Sequence, residues 1–543
     1  MTTPIQPATS TLDFTAADRW PTRAAAHVLG AGLVVAVLAA LPVAPSDLDR
    51  HQLPKETLVH IATWLAVLLA RPFPPRGLRP AALFALAALV TITVLSGGLA
   101  GNGWLAMRAG SLILTGVAAF VTARHLAARG MASVLLAWCG LAGVAGVATG
   151  LAQAYGAQSS LFAATRVPGG TFGNRNFMAH FAAITLPIVM YTALSTRRRR
   201  VLGAASLACA VLVAAIVLTR SRAAWLGSSA GLLVLAGVSA RAWRRNALPA
   251  VAMRAAILSA AVGGAAVAAI AIPNALAWRS SSPYIDTFTG LAKSDEGSGH
   301  GRLLQYGNTV RLALKHPVLG VGPGNWPVRY AEVAPSNDPT WVFGDVVPIN
   351  PWPSSDWMAL LSELGIGAVI AALLLGAAVA WRGWQAGKAS GDRVVAGAAL
   401  LAMLVTTFIE GNLDAVLLLP APLLLISIGA GALLQQCDQT VSADSASPAS
   451  PSRAYLVVSI VLGVVTLRSV LQTTAYVIAG SGRSTSRLVW AARIDPGSFP
   501  IRIALALRLT CADAKGDVLA VVRMAPNWPA TREAARRCGV RTR

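Results

Sequence analysis

The chain has 543 residues, of which 55% are apolar and only 12% are charged, and its formal net charge is +23. Soluble domains carry about 25% charged residues, so the composition excludes a water-soluble globular protein and indicates a polytopic membrane protein. The positive charge alone would be compatible with nucleic-acid binding. However, the arginines are spread over alternate short loops, which is the positive-inside pattern, and we expect no nucleic-acid partner.

Apolar runs recur along the chain at about the 20 residues that a helix needs to cross a bilayer. The second run is short, and only Thr219–Arg222 separates the seventh from the eighth, so the count holds to within one. The thirteen runs lie near residues 24–44, 57–71, 80–96, 104–123, 131–153, 177–195, 201–218, 223–240, 251–272, 357–381, 393–412, 415–434 and 454–478.

Arginine-rich loops alternate with loops that carry no Lys or Arg, such as those around 97–103 and 411–414. This alternation predicts a cytoplasmic N-terminus, with the longest loop and the C-terminal tail on the outer side of the membrane. The predicted organisation is a cytoplasmic segment 1–23, transmembrane helices 1–9 within 24–272, an outer loop 273–356, helices 10–12 within 357–434, a cytoplasmic linker 435–453, helix 13 at 454–478, and an outer tail 479–543.

Several cations map to the outer side against the general charge pattern. Charge near a membrane is costly, so such residues tend to pair, to snorkel or to line a site. Guanidinium groups bind phosphate oxygens in a bidentate manner, and we therefore expect a pocket for a phosphorylated lipid. These residues are Arg166, Arg175, Arg220, Arg222, Arg302, Arg311, Lys315 and Arg329.

Three local motifs refine this expectation. In the segment 166–177, Asn174, Arg175 and Asn176 offer hydrogen-bond donors at a helix entrance, or else form a plain turn. Trp225 lies one turn after Arg222, where it lines the pocket or belongs to an interfacial aromatic belt. The glycines of segment 316–325 resemble a nucleotide-binding loop but lack its strand–helix context, so we reject nucleotide binding.

Together these motifs resemble the O-antigen ligase and polymerase superfamily of bacterial envelope glycosyltransferases. The resemblance rests on Gly170–Phe177, Ser221–Trp225, Arg302 with His316–Asn325, and Asp356–Gly365, in that order. It implies an all-α architecture similar to C-type glycosyltransferases. It also implies metal-independent, inverting transfer of a glycan from undecaprenyl diphosphate to an acceptor hydroxyl. By this resemblance Arg222 and Arg302 hold the diphosphate, and Arg220 and Arg175 support them.

The sequence departs from the family where the long loop ends. The family usually has a His there, which activates the acceptor hydroxyl, whereas this chain has Ser354. A hydroxyl cannot serve as a base on its own, so Asp356 is our first candidate for the base and His300 the second. The alternative is that Asp356 only caps the helix that starts at Trp357.

The tail contains two similar segments, Arg493–Pro496 and Arg523–Pro526, about 30 residues apart. This spacing predicts degenerate tetratricopeptide-like helical hairpins, which need a surface or a protein partner to dock on. A simple basic amphipathic ending is the alternative. Cys511 and Cys538 lie in this tail, where a disulfide is permitted, and the sequence leaves that bridge open.

We therefore predict a ligase-type glycosyltransferase that needs no cofactor and no metal. Its partners are membrane lipids, an undecaprenyl-diphosphate-linked glycan, and an acceptor hydroxyl on lipid A core, a glycan or a protein. Polysaccharide polymerisation and protein glycosylation are alternatives within the superfamily. A lipid-linked-glycan transporter and a non-catalytic scaffold are alternatives of another class, although the chain shows no inverted repeat.

Overall fold

The computed structural model describes residues 16–75, 78–245, 251–278, 280–290, 297–334, 338, 351–438 and 452–541. All regular secondary structure within these ranges is helical, which confirms the predicted all-α class. Most of the predicted N-terminal segment (1–15 of it) and most of the predicted linker (439–451) lie outside the described residues.

The α-helices are numbered in chain order. They are α1 (Ala16–Leu38), α2 (Asp47–Ala70), α3 (Pro80–Gly98), α4 (Gly103–Leu126), α5 (Ala132–Ala154), α6 (Arg175–Ser195), α7 (Arg199–Thr219), α8 (Arg222–Arg244), α9 (Ala252–Ala271), α10 (Pro283–Thr289), α11 (Gly297–Lys315), α12 (Trp326–Arg329), α13 (Asp356–Leu364), α14 (Ile366–Ala386), α15 (Asp392–Leu413), α16 (Pro420–Asp438), α17 (Arg453–Ala479), α18 (Thr485–Ile494), α19 (Phe499–Ala506), α20 (Cys511–Met524) and α21 (Pro529–Arg537).

Twelve stretches among the described residues are long and apolar enough to cross a membrane. One of them, Gly103–Ala154, has 52 residues, which at 1.5 Å per residue is more than twice the thickness of a bilayer core of about 30 Å. It is interrupted at Arg129 and Gly130, which leave the helical conformation and separate α4 from α5. Counting these two separately gives thirteen helices of spanning length, in agreement with the sequence.

The second spanning helix is longer than the apolar run that predicted it, because its first three turns contain charged residues, of which Asp49, Lys55 and Glu56 are buried. Arg108 of α4 pairs with Asp49 and Glu56, both at 2.8 Å. Lys55 donates to three carbonyl groups at the end of α1. Hydropathy alone cannot identify such a segment, since the charges are neutralised only by tertiary contacts.

The described part of the segment 273–355 lies at one end of the bundle, which we call the loop side. Helices α3, α9 and α15 run toward it, and α14 begins there. The centre of the bundle is formed by α6, α15 and α16, whose side chains are mostly buried. The arginine-rich loops lie at the opposite end, where Asp438 binds both Arg124 and Arg382.

The glycine motif (residues 316–325) packs against the junction of α13 and α14. Val321 and Gly322 donate their backbone N–H groups to the carbonyls of Ser362 and Glu363, each at 2.9 Å. The Glu363 carboxylate accepts from the backbone N–H groups of Gly324 and Trp326 at 2.7 and 3.2 Å. The glycine motif therefore has a structural role, because it attaches the loop to the membrane domain. We call this attachment the clasp.

The tail forms two helical hairpins, α18–α19 and α20–α21, and it docks on the loop side. Trp528 donates to the carbonyl of Pro327 at 2.9 Å, and Asn102 donates to that of Met524 at 3.1 Å. Cys511 and Cys538 are joined by a disulfide, which ties the start of α20 to the residue after α21. The surface that the tail needs is thus supplied, at least in part, by the same chain.

We expect Gly320→Ala to lower the free energy of unfolding by about 2–4 kcal/mol. Gly320 has φ of +64°, and a Cβ there would overlap the backbone of Glu363, so both strain and a steric clash result. Gly391→Ala is the matched control, because Gly391 also has φ of +64° but no atom within 4 Å of the added Cβ. That control should cost only about 1–2 kcal/mol. Thermal unfolding in detergent micelles compares the two, and equal losses would contradict the role given to the clasp.

Candidate functional site

The site is built around the first turn of α6, on the loop side of the bundle. Asn174 is the N-cap of α6, and its side-chain oxygen accepts a hydrogen bond from the backbone N–H of Asn176 at 2.9 Å. Arg175 and Asn176 therefore occupy the first helical positions, where backbone N–H groups have no partner within the helix. The side chains of Arg175 and Asn176 contact two different groups of residues.

The first group is a cluster of four arginines, Arg166, Arg175, Arg220 and Arg222, which we call the arginine cluster. The guanidinium groups of Arg175 and Arg220 lie 5.2 and 4.7 Å from the centre of the Trp278 ring. Arg220 Nε also donates to Thr287 Oγ1 at 2.8 Å. Cation–π contact and a single neutral acceptor leave most of these N–H donors available to an anion.

Arg222 lies beside this pair, on the first turn of α8. Its guanidinium packs so closely on Gly290, at the end of α10, that a Cβ there would lie 2.7 Å from Nη2. Partial burial lowers the pKa of Arg220 and the nearby Arg222 charge lowers it further, whereas Asp286 and Tyr284 oppose the shift. Among the described residues, the region therefore has an excess of positive charge, and Asp286 is its acidic neighbour.

Two members of the arginine cluster have a strained backbone. Arg166 and Arg220 have φ of +54° and +55°, in the left-handed region that non-glycine residues rarely adopt. The Arg166 carbonyl accepts the backbone N–H of Arg175 at 3.0 Å, which holds the two segments together. Such conformations cost about 1–3 kcal/mol and occur frequently at functional sites.

The second group surrounds the carboxylate of Asp414, just after α15. Its Oδ2 lies 3.2 Å from Asn176 Nδ2 and 3.7 Å from Arg302 Nη2. The same oxygen lies 3.4 Å from His180 Nε2, and His180 Nδ1 lies 3.3 Å from Glu410 Oε1. Since Asn176 directly follows Arg175, the contacts of Arg302 and those of the arginine cluster meet at one turn of α6.

The charge of Asp414 is well stabilised. Burial alone would raise its pKa, but the hydrogen bond and charge of His180 and the charge of Arg302 lower it to about 2. Asp414 is therefore an anion at neutral pH, and it holds Arg302 of the loop against the membrane domain.

Sequence reasoning missed His180, Glu410 and Asp414. A signal was present, because a buried histidine and glutamate in otherwise apolar spans are functional candidates by default. Glu410 lies in the last turn of α15, and His180 is one helical turn after Asn176, on the same face of α6. Only the packing of α6 on α15 shows that these residues meet.

Helix α11 links Arg302 to the end of the loop. Tyr306, one turn after Arg302, donates to the carbonyls of Ser354 and Asn412 at 2.6 and 2.9 Å. Gln305 accepts the backbone N–H of Ser354 at 2.8 Å. His300 is exposed and two residues before Arg302, which places it about 200° around the helix from that side chain.

Asp356 is buried beside this arrangement. Its Oδ1 and Oδ2 accept from the backbone N–H groups of Val416 and Leu417, both at 2.9 Å. Burial raises the pKa of Asp356 to about 7, although the hydrogen bonds from Leu417, Val416 and Leu418 oppose the shift. The capping alternative is wrong, because Ser355 is the N-cap of α13 and accepts from Met358 N–H.

Trp225, predicted to line the substrate pocket, makes a packing contact between two helices. It is half-buried, and its Nε1 donates to the carbonyl of Ile216 at 3.0 Å, which joins α8 to α7. The structure thus brings Arg175, Arg220 and Arg222 together and joins them to Arg302 through Asn176. Ser354 and Asp356 lie beside α11 and the turn after α15, respectively.

We expect Asp414→Asn to destabilise the protein by about 3–5 kcal/mol, because Arg302 and the buried His180 lose an anionic partner. In a His180→Gln background the same substitution should cost clearly less, since the two residues act as a pair. Asp286→Asn, at an exposed aspartate on the same side, should change stability by less than about 0.5 kcal/mol. Thermal unfolding of the four variants measures this coupling, and strictly additive losses would argue against the pair.

Comparison with known proteins agrees with this geometry. Residues 207–373 match the family model described as O-antigen ligase, a stretch that runs from α7 into α14 and includes Arg220, Arg222, Arg302 and Asp356. No curated protein matches the sequence. Residues 207–373 therefore carry an O-antigen ligase domain, which confirms the resemblance to the O-antigen ligase and polymerase superfamily.

Proposed function

We propose that this protein transfers a glycan from undecaprenyl diphosphate to an acceptor hydroxyl at the periplasmic face of the bacterial inner membrane. Members of the family are multi-pass membrane glycosyltransferase-like enzymes that act on a lipid-linked glycan and an acceptor. The observation that carries the proposal is the arginine cluster on Trp278, which adjoins Arg302 at the first turn of α6.

The arginine cluster would bind the diphosphate. Guanidinium groups match phosphate oxygens in pairs of parallel hydrogen bonds, and Arg175, Arg220 and Arg222 supply several such donors. The positive end of the α6 helix dipole favours an anion in the same place. Strain at Arg166 and Arg220 fits a site in which the surroundings fix the side chains before the ligand arrives.

Arg302 would stabilise charge that develops during the reaction. Its contact with Asp414 is long, at 3.7 Å, and it leaves further N–H donors for a phosphate oxygen. As the acceptor oxygen attacks the anomeric carbon, the bond from that carbon to the diphosphate oxygen breaks, and its electron pair stays on the diphosphate. A fixed cation beside that oxygen lowers the barrier, because it stabilises the transition state more than the ground state.

The acceptor hydroxyl must lose a proton in this displacement, and Asp356 is our candidate to receive it. Its two oxygens have about four acceptor sites and accept backbone hydrogen bonds from Val416, Leu417 and Leu418, so one site remains for the proton. Its pKa of about 7 suits a general base at neutral pH. Ser354 has its backbone engaged by α11, and exposed His300 is the second candidate. Metal ions have no role in this scheme.

The orientation follows from charge. The arginine-rich loops lie opposite the loop side, which supports a cytoplasmic N-terminus and a periplasmic site. Polymerisation of glycan repeats and transfer to protein use the same donor chemistry, so the acceptor distinguishes them. A lipid-linked-glycan transporter or a scaffold would bind the donor without transferring its glycan.

In proteoliposomes supplied with an undecaprenyl-diphosphate glycan and a panel of acceptors, we expect wild-type protein to transfer the glycan. Arg302→Ala should reduce the rate by about 10²- to 10³-fold, as loss of a transition-state donor does. Arg523→Ala, at an exposed arginine of the tail, is the control and should leave the rate unchanged. Donor binding without transfer to any acceptor would refute the enzyme and favour a transporter or scaffold.

The transfer rate should rise with pH through about 7 and then level off, because only the deprotonated carboxylate of Asp356 can accept the proton. Asp356→Asn should remove this rise and lower the plateau by about 10²- to 10⁴-fold. Glu363→Gln is the control. Burial also raises the pKa of Glu363 to about 7, but its carboxylate binds the clasp, so the rise should persist. A pH profile that is lost in Glu363→Gln and kept in Asp356→Asn would exclude Asp356 as the base.

A further inference from the structure

In α11 the uncharged polar residues are mostly buried and several apolar residues are exposed, the reverse of the usual distribution. Its buried face is largely polar and includes Gln305, Asn308 and Thr309. Asn308 donates to Asp338 at 2.7 Å, and Thr309 accepts from Trp326 Nε1 at 3.0 Å. The outward face carries Leu303, Val310 and Leu314, spaced seven and four residues apart and therefore on one side of the helix. Leu303 is 55% exposed and Leu314 is 72% exposed.

Val318, in the turn after α11, extends this row and is 71% exposed. We call Leu303, Val310, Leu314 and Val318 the apolar stripe. A helix in a water-filled loop normally buries such a row against the protein and exposes its polar residues. In α11 the polar residues instead make contacts within the protein, and the apolar residues are exposed on its surface.

The position of α11 relative to the ends of the membrane-spanning helices is set by contacts at both ends of its segment. At one end Tyr306 donates to the carbonyl of Asn412, at the loop-side end of α15. At the other end Ser96, in the last turn of α3, donates to the carbonyl of Leu319 at 2.6 Å. The backbone N–H of Ile366, the first residue of α14, donates to Pro317 at 3.0 Å. Because spanning helices end at the membrane surface, α11 must run along that surface.

The apolar stripe is also continuous with the lipid-facing surface of the bundle. Val318 adjoins Gly365 at the start of α14, and Ile366 and Ile370 of that helix are exposed. Leu95 and Leu99, at the end of α3, are exposed as well. The row thus continues a surface that acyl chains already cover.

Two cationic side chains beside the apolar stripe also fit a position at the membrane surface. Arg311 and Lys315 are exposed and flank Leu314 on α11. Interfacial helices place such long cationic side chains at lipid phosphates while their apolar face enters the acyl region. A soluble protein partner would not require the helix to lie at this depth.

We propose that α11 is an interfacial helix whose apolar stripe lies in the acyl region of the loop-side leaflet, with Arg311 and Lys315 at the lipid phosphates. Arg302 precedes Leu303 and faces Asp414, so it is held at the depth of the headgroups. Where the proposed function holds, the diphosphate of a lipid-linked donor reaches Arg302 without leaving the leaflet.

A depth measurement tests this without using glycan transfer. The native cysteines are either buried (Cys139, Cys209 and Cys437) or joined in the disulfide, so an environment-sensitive fluorophore can be attached selectively to an introduced Leu314→Cys. The full chain is placed in vesicles of phosphatidylethanolamine and phosphatidylglycerol with or without brominated acyl chains. Lys515→Cys, at an exposed position of α20, is the control.

We expect brominated chains to quench the label at 314 and aqueous iodide to leave it bright, with a depth of about 5–10 Å below the phosphates. The label at 515 should respond only to iodide. Val310→Cys should repeat the result at 314, which guards against a local defect at one position. Quenching at 314 and 310 by iodide alone would overturn the proposal, and so would protection from both quenchers, which would indicate a protein partner or a second copy. Failure of glycan transfer with the expected depth would refute only the proposed function.

Discussion

The arrangement of the site depends on the carboxylate of Asp414. One oxygen of this side chain contacts Asn176 of α6 and Arg302 of α11, and it also contacts His180 deeper in the bundle. It therefore connects the loop to the membrane domain at the point where the arginine cluster begins. A buried anion of this kind is stable only because cations and donors surround it, and the low pKa of Asp414 reflects that balance. Without it, Arg302 would have no fixed position relative to Arg175.

Other buried carboxylates also connect elements of this protein. Acidic residues are scarce in the chain, with 22 Asp and Glu against 45 Lys and Arg. Asp356 holds the turn after α15, and Glu363 holds the glycine motif. At the opposite end Asp438 binds arginines from two helices. Buried carboxylates thus act as the fixed points between helices, since the apolar contacts around them are less specific in direction. Two of these carboxylates, Asp356 and Asp414, lie beside the site, so in this protein stability and the proposed chemistry share residues.

Much of the fold could be predicted from the sequence, for a physical reason. A bilayer requires apolar stretches of fixed length, and thirteen such helices lie in the part of the chain that the structure describes. The clustering of Arg175, Arg220 and Arg222 was likewise expected from their shared side of the membrane. The charged start of α2 was not predictable, because Asp49, Lys55 and Glu56 become tolerable in a span only when α4 and α1 neutralise them. The role of the glycine motif was also hidden, since its partners lie in α13, about 40 residues later.

By itself, the sequence determined the class, the number of spanning helices, the sidedness of the charges and the residues of the arginine cluster, because each depends on local composition and on the membrane. Only the tertiary structure decided which side chains meet. It joined Arg302 to His180 through Asp414, gave Ser355 rather than Asp356 the capping role, and turned the apolar stripe of α11 outward. The contacts of Asp414 depend on how α6, α11 and α15 pack on one another. Arg302 and His180 each lie more than 100 positions from Asp414 in the sequence, and such distant contacts produce no periodic pattern in it.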